Sequence, residues 1–517
     1  MSSPDKLSLH DLYSCNCPDC GGRVPIRLSI SETESDELQK AFNKVTRWIF
    51  REKKTTIDAG DIEKKVVQPL LNGINTVLQE GVQKGIAHQV PSAMKRHLSE
   101  NVYIFSGAKT YIQLKELSGL LLDNDGHIKP FSKFFQDAQT MNLLHNQWLE
   151  AEYIFATQSA QMAAKWQEYK NDGDRYNLQY RTANDDKVRE EHAVLHDITL
   201  APSDPFWTYY FPPNGWRCRC TAVQVRKNKY PESDSNWAQQ RGVEATEGRD
   251  HIFRFNPGKQ EIIFPDHHPY LKSLSDLEHK TLKKIANDAY DITSADDVVK
   301  LINEISEDKD WFERGFKSLE VSRNRSQNGA TDLNGRILLD KERLQNTISG
   351  INSLTQGEEI TFTEADALST FWHEITHNRS KPGNMRLTHL QDRRMELANE
   401  FVARNTLDEF FSAFGSNIPF PELVTNRVST GYNQMVRNYQ KIVELSGLNK
   451  ETVVDTVKQH LFNETLDKQT EGLVKALKGI KKADGSALKK AEIDSLVRYC
   501  DRLGETSFEK YLKIVIH

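Results

Sequence analysis

The 517-residue sequence has no apolar run approaching the ~20 residues that a membrane-spanning helix needs, and Met1-Ser2-Ser3-Pro4-Asp5-Lys6 is followed by no hydrophobic signal region. No membrane span is expected, and synthesis in the cytoplasm is. Charge of one sign is missing too: 68 basic against 73 acidic residues leave a net charge of −5, which carries no global nucleic-acid signature and points to no specific nucleic-acid reader. Cysteine is scarce. Five of the six thiols fall in two tight clusters, which suits a reduced compartment with metal chemistry better than a disulfide framework. No internal repeat or low-complexity segment interrupts the chain. A composition of 38% hydrophobic and 27% charged residues is ordinary for two or three soluble domains.

Against that background, Phe371-Trp372-His373-Glu374-Ile375-Thr376-His377-Asn378 states a reaction. Two histidines four apart on a helix lie on one face, near enough to hold one Zn²⁺, with Glu374 between them in reach of water at that ion. The helix is expected independently. Thr363-Glu364-Ala365-Asp366 offers a hydroxyl cap with early acids, and Leu368, Phe371, Trp372 and Ile375 recur as one apolar face. The alternative is a buried helix carrying two satisfied histidines. A third ligand is at hand: after a loop at 378–383, residues 387–414 read as a second helix containing Glu396 and Glu400, with eighteen residues between His377 and Glu396.

Over roughly residues 320–440 this pattern resembles the gluzincin metallopeptidases: HExxH, a spacer of that length, then Glu on a following helix with another acid four residues on. The resemblance implies a zincin-like domain with a small sheet and an active-site helix. It implies Zn²⁺ held by His373, His377 and Glu396, with Glu374 as the general base that takes a proton from water and passes it to the leaving amine. Glu400, where many members have Asp, is either an acceptor orienting a ligand histidine or the rival third ligand. A peptidase also needs an edge strand for an extended substrate, and residues 334–340, after a Gly/Asn-rich turn, read as that strand. Tyr432, His389 and Arg393 are candidate oxyanion donors by position alone.

Earlier in the chain, Cys15, Cys17 and Cys20 lie within six residues and are followed by two glycines. They could hold zinc with His10 or a distant thiol as fourth ligand; the alternative is a mobile, reduced arm. Residues 31–172 read as almost wholly helical.

Tyr180-Arg181-Thr182-Ala183-Asn184-Asp185-Asp186-Lys187-Val188-Arg189-Glu190-Glu191-His192 then leads through Asp204-Pro205-Phe206-Trp207 to Pro212-Pro213-Asn214-Gly215-Trp216-Arg217-Cys218-Arg219-Cys220. This order of motifs resembles the Mu F-like phage head-morphogenesis family, the minor capsid proteins, over about residues 35–270. Asp197 departs from it, since members commonly have Gly there. Cys218 and Cys220, two apart in an extended segment, point the same way. With Asp185 and His192, or His196 as a substitute, they could form a structural metal site. The competing reading is a reduced thiol pair beside a hydrogen-bonded His-Asp pair.

The expected fold is mainly α, α+β overall. It divides into a Cys-rich arm (1–30), a helical Mu F-like domain (31–230), a domain end and linker (231–275) and a zincin-like domain (276–517). By resemblance, the partners are phage portal and head proteins. Three functions compete: a virion protein carrying a peptidase effector or toxin into a target cell, a purely structural head protein with an inactive C-terminal domain, and a head-maturation protease.

Overall fold

The computed structural model describes residues 9–13, 32–86, 90–186, 188–323, 328–381, 387–427, 429–465 and 468–516. The expected N-terminal cluster of Cys15, Cys17 and Cys20, with the side chain of His10, lies outside them. The fold is mainly α with two small sheets. It divides into two compact units, Met1–Val90 with Met94–Tyr290, and Pro91–Ala93 with Asp291–His517.

Long helices dominate the first unit: Glu32–Glu52, Gln68–Gly85, Ser92–Leu120 and the 42-residue Phe131–Asp172, which at 1.5 Å per residue is about 63 Å long. Gln68–Gly85 and Phe131–Asp172 pack almost backbone to backbone. A Cβ at Gly85 would lie 2.2 Å from the carbonyl oxygen of Thr157, so only glycine permits that approach. Three antiparallel strands, β1 (Tyr176–Arg181), β2 (Thr199–Leu200) and β3 (Thr221–Arg226), follow in the order β2-β1-β3. Asp197, in the turn that returns to β2, has φ 67°, the left-handed conformation that glycine adopts freely.

Residues 231–275 are not a linker. They form the helix Ser235–Ala245 and several short turns, and they bury Ile252, Phe253, Phe255, Ile263, Phe264, Tyr270 and Leu271 in the core of the first unit. The rings of Phe264 and Phe105 stack 3.7 Å apart. Leu282 and Ala286 of the helix Asp276–Tyr290 belong to that core as well, so the unit ends at Tyr290 rather than near residue 230. The prolines and glycines that suggested a linker punctuate short helices instead. Asn256 caps one of these, accepting from Gly258 N and Lys259 N, with Pro257 at its first position.

In the second unit a three-stranded sheet has the order β4-β6-β5, built from β4 (Ser318–Val321), β5 (Gly329–Thr331) and β6 (Arg336–Leu339). β4 is parallel to β6, and β5 antiparallel. The strand expected at 334–340 is therefore the middle one, and the edge beside the HExxH helix is β5. That helix, Phe362–Asn378, is capped two residues before the expected position: Thr361 and Glu364 form a reciprocal capping box. The expected helix at 387–414 is two, His389–Asn405 and Leu407–Ala413. Leu368, Phe371, Trp372 and Ile375 are buried with the sheet residues Ile337 and Leu339 in one core. The remaining helices, from Asn433–Ser446 to Glu505–Ile516, bury a second core that includes Cys500.

Candidate metal centre

The helical turn between His373 and His377 places their Nε2 atoms 3.1 Å apart. Glu396, presented by the helix His389–Asn405, brings Oε2 to 3.4 Å from each of them. This oxygen is buried and has no hydrogen-bond partner. An ion held at about 2.0–2.2 Å by two imidazoles and a carboxylate in tetrahedral geometry spaces its ligand atoms by about 3.4 Å. The three residues therefore fit Zn²⁺, and the unpartnered oxygen is accounted for by such an ion.

Electrostatics keep Glu396 ionised, as a metal ligand must be, and favour on His373 a proton that a bound ion would displace. The buried Glu396 carboxylate would be pushed up by desolvation, but His377 and His373 hold it well below its usual range. Burial alone would lower His373; the Glu396 and Glu400 carboxylates beside it raise it instead. Glu400 lies on the far side of His373, with Oε2 2.6 Å from Nδ1, and is not near the three converging atoms. Its second oxygen lies 2.8 Å from Nε of Arg404. Asn399 donates to the carbonyl of His373 at 3.0 Å.

Glu374 faces β5. The hydroxyl of Thr331 is 2.9 Å from both its carboxylate Oε2 and its main-chain oxygen. A Cβ at Gly329 would lie 2.6 Å from its Oε1. Burial pushes the Glu374 carboxyl up, against the pull of His373 and His377. Of the three candidate oxyanion donors, Tyr432 stacks on His373, with ring centroids 5.9 Å apart and planes at 14°. Burial and the neighbouring Glu396 carboxylate push its phenol up, so it stays a neutral donor. Arg393 is committed to Asp501 and lies over the Tyr432 ring, and His389 is exposed.

The reading of residues 334–340 as edge strand hid Thr331 and Gly329. Arg404, four residues beyond Glu400 on the same helix, had a signal in its spacing.

In the first unit His192, Cys218 and Cys220 converge, each offering a ligand atom within 4.8 Å of the others. His192 Nδ1 is 3.6 Å from the sulfur of Cys218 and 3.9 Å from that of Cys220. Cys220 and His192 hold the Cys218 thiol well below its ordinary pKa despite its burial, whereas Cys220 is pushed up. Asp185 does not join them: it makes two bonds of 2.6 and 2.7 Å to Arg219 at the surface. Arg219 sits between the two cysteines, so in extended chain it points opposite to them and takes its acid with it. His196 is also elsewhere, with Nδ1 2.8 Å from the hydroxyl of Thr182.

Comparison with known proteins bears on this unit. Residues 62–223 match the profile of the family described as phage Mu protein F like protein. Putative capsid assembly protein F of Escherichia phage Mu is 39% identical over 69 residues, covering 13% of this chain and 16% of that protein. The Mu-like prophage FluMu F protein of Haemophilus influenzae is 35% identical over 71 residues, covering 12% and 17%. The chain thus spans less than a fifth of the length of these relatives. Its first unit contains a Mu F-like domain. No solved structure matches the chain. Among the described residues no helix is long and apolar enough to cross a membrane.

Proposed function

We propose that the chain is a minor head protein of a phage or prophage whose second unit is a zinc-dependent peptidase. The first half of this reading rests on the Mu F-like match at residues 62–223 and extends to this chain the role in capsid assembly, beside portal and head proteins, that the phage Mu relative's name carries. The second half rests on one observation, the convergence of His373, His377 and the buried, unpartnered oxygen of Glu396 within 3.4 Å of one another.

Zn²⁺ held by these residues would supply a Lewis acid and lower the pKa of water. Glu374, kept against β5 by Thr331, is the base that takes the proton from water and returns it to the leaving amine. An extended peptide would add to the edge of β5 by backbone hydrogen bonds. The hydroxyl of Tyr432, beside His373, is a donor to the oxygen of the carbonyl under attack.

Division of the chain at Tyr290 supports a separable activity, carried by the particle and deployed in a target cell. The test is a parent phage or prophage encoding either a chain truncated after Tyr290 or Glu374→Gln. Particle counts, mass spectrometry of purified heads and the effect on target cells are read for both. Normal particles that contain the truncated chain and have lost the effect support delivery. Failure of assembly with Glu374→Gln as well as with the truncated chain would make the enzyme a maturation protease. Full effect in both would leave a purely structural protein.

A further inference from the structure

We infer that His192, Cys218 and Cys220 form a second metal site, a Zn²⁺ clip inside the Mu F-like domain, independent of the peptidase centre. One imidazole nitrogen stands 3.6 and 3.9 Å from two sulfurs. A ring N–H points along one line and serves one acceptor well, so a hydrogen bond from the imidazole does not by itself account for both sulfurs. An ion bound at about 2.0–2.1 Å by nitrogen and about 2.3 Å by sulfur in tetrahedral geometry sets N and S about 3.6 Å apart, and accounts for both.

The donor set points the same way. Two thiolates with one imidazole are soft ligands that select zinc over magnesium or calcium. His192 and Cys218 are buried and Cys220 is partly exposed, so the fourth ligand comes from the solvent side, at Cys220.

The place in the fold supplies the need. Residues 182–220 run from the end of β1 to the start of β3, and among the described residues their only paired strand is the two-residue β2. His192 lies near the beginning of this stretch, and Cys218 and Cys220 lie at its end, just before Thr221 opens β3. The β1–β3 ladder already joins the ends at Arg181 and Thr221, and a metal shared by the three would fasten the helical turn Glu190–Ala193 to that closed end. Asp185 and Arg219, paired on the other side of the segment, contribute no ligand.

The test uses the full chain carrying His373→Ala and His377→Ala, which removes the other centre, and Co²⁺ as the probe. The expected result is a near-ultraviolet thiolate-to-cobalt charge-transfer band with one equivalent of metal, both lost on adding Cys218→Ser and Cys220→Ser. Absence of the band overturns the site. So does its persistence in the Cys→Ser chain, which would assign the metal to Cys15, Cys17 and Cys20. Should the Cys→Ser chain fail to fold, alkylation of the chain with intact cysteines, followed by peptide mapping, decides the same point. Cys218 and Cys220 should be protected when zinc is present and modified after chelation, and equal modification in both states would overturn the proposal.

Discussion

Nδ1 of His373 lies 2.6 Å from a carboxylate oxygen of Glu400, whose other oxygen is held 2.8 Å from Nε of Arg404. A proton kept on Nδ1 leaves the lone pair of Nε2 facing His377 and Glu396, so this contact selects the tautomer that a metal ligand requires. Glu400→Gln keeps the shape and removes the charge. Zinc affinity should fall by about 10–100-fold, as measured by competition with a chromophoric chelator. An unchanged dissociation constant would show that Glu400 has no part in orienting the ligand.

Glu396 and Glu400 differ in kind, although both were candidates for the same role. Only Glu396 reaches both Nε2 atoms. Glu396→Ala should therefore lose zinc on dialysis, while Glu400→Ala retains it with weakened affinity. The reverse order, read by elemental analysis, would exchange the two assignments.

Glu374→Gln should retain one zinc while cleavage of a peptide library slows by about 10²–10⁴-fold, since the change deletes a base and no ligand. His377→Ala should lose both. Full turnover of Glu374→Gln would remove Glu374 from the mechanism.

How much of this could be read from the residues alone depended on range. The HExxH helix and Glu396 were legible because a turn of helix fixes spacing and an apolar face marks its period. For Glu400 the residues alone leave two roles open, an acceptor that orients a histidine or a rival third ligand. Thr331 and Gly329 were not legible, because a three-residue edge strand is too short to show alternation and the stronger run at Arg336–Leu339 drew the assignment. The linker expected at 231–275 was read from its punctuation; Phe253, Phe255, Phe264 and Tyr270, which bury there, were the better signal. Asp185 was misplaced because sequence proximity does not say which side of an extended segment an acid meets.

The fragment Asp291–His517 should fold cooperatively and bind zinc, because it contains both of its apolar cores and all three converging residues. Starting instead at Ser275 would add a helix whose Leu282 and Ala286 belong to the other core, and that fragment should be less soluble. Circular dichroism melting and elemental analysis check both, and a non-cooperative melt of the shorter fragment would count against an independent unit.

Asp366 anchors the start of the HExxH helix through Arg427 at 2.8 Å and Arg343 at 2.8 Å, with both Asp366 and Arg427 buried. Burial would raise its carboxyl, but Arg427, Ser429 and Arg343 bring it below the ordinary value. A depressed folded value means stability present above the unfolded pKa of about 3.9 and lost as pH falls through the folded one. Asp366→Ala should cost about 3–5 kcal/mol at neutral pH by leaving buried cations uncompensated. It should also flatten the fall in melting temperature below about pH 4. Equal acid sensitivity in the variant would place the linkage on another carboxylate.

The hydroxyl of Thr331 touches both the carboxylate and the backbone oxygen of Glu374, and Gly329, having no Cβ, leaves the space that this carboxylate occupies. Strand and helix therefore share one origin of measurement. If the second unit is a peptidase, a chain laid along β5 is indexed by main-chain hydrogen bonds from the same residues that hold the base. The cut would then be placed by counting backbone units from that origin more than by fitting any side chain, and the enzyme would tolerate varied sequences while demanding an extended, unfolded stretch of its target.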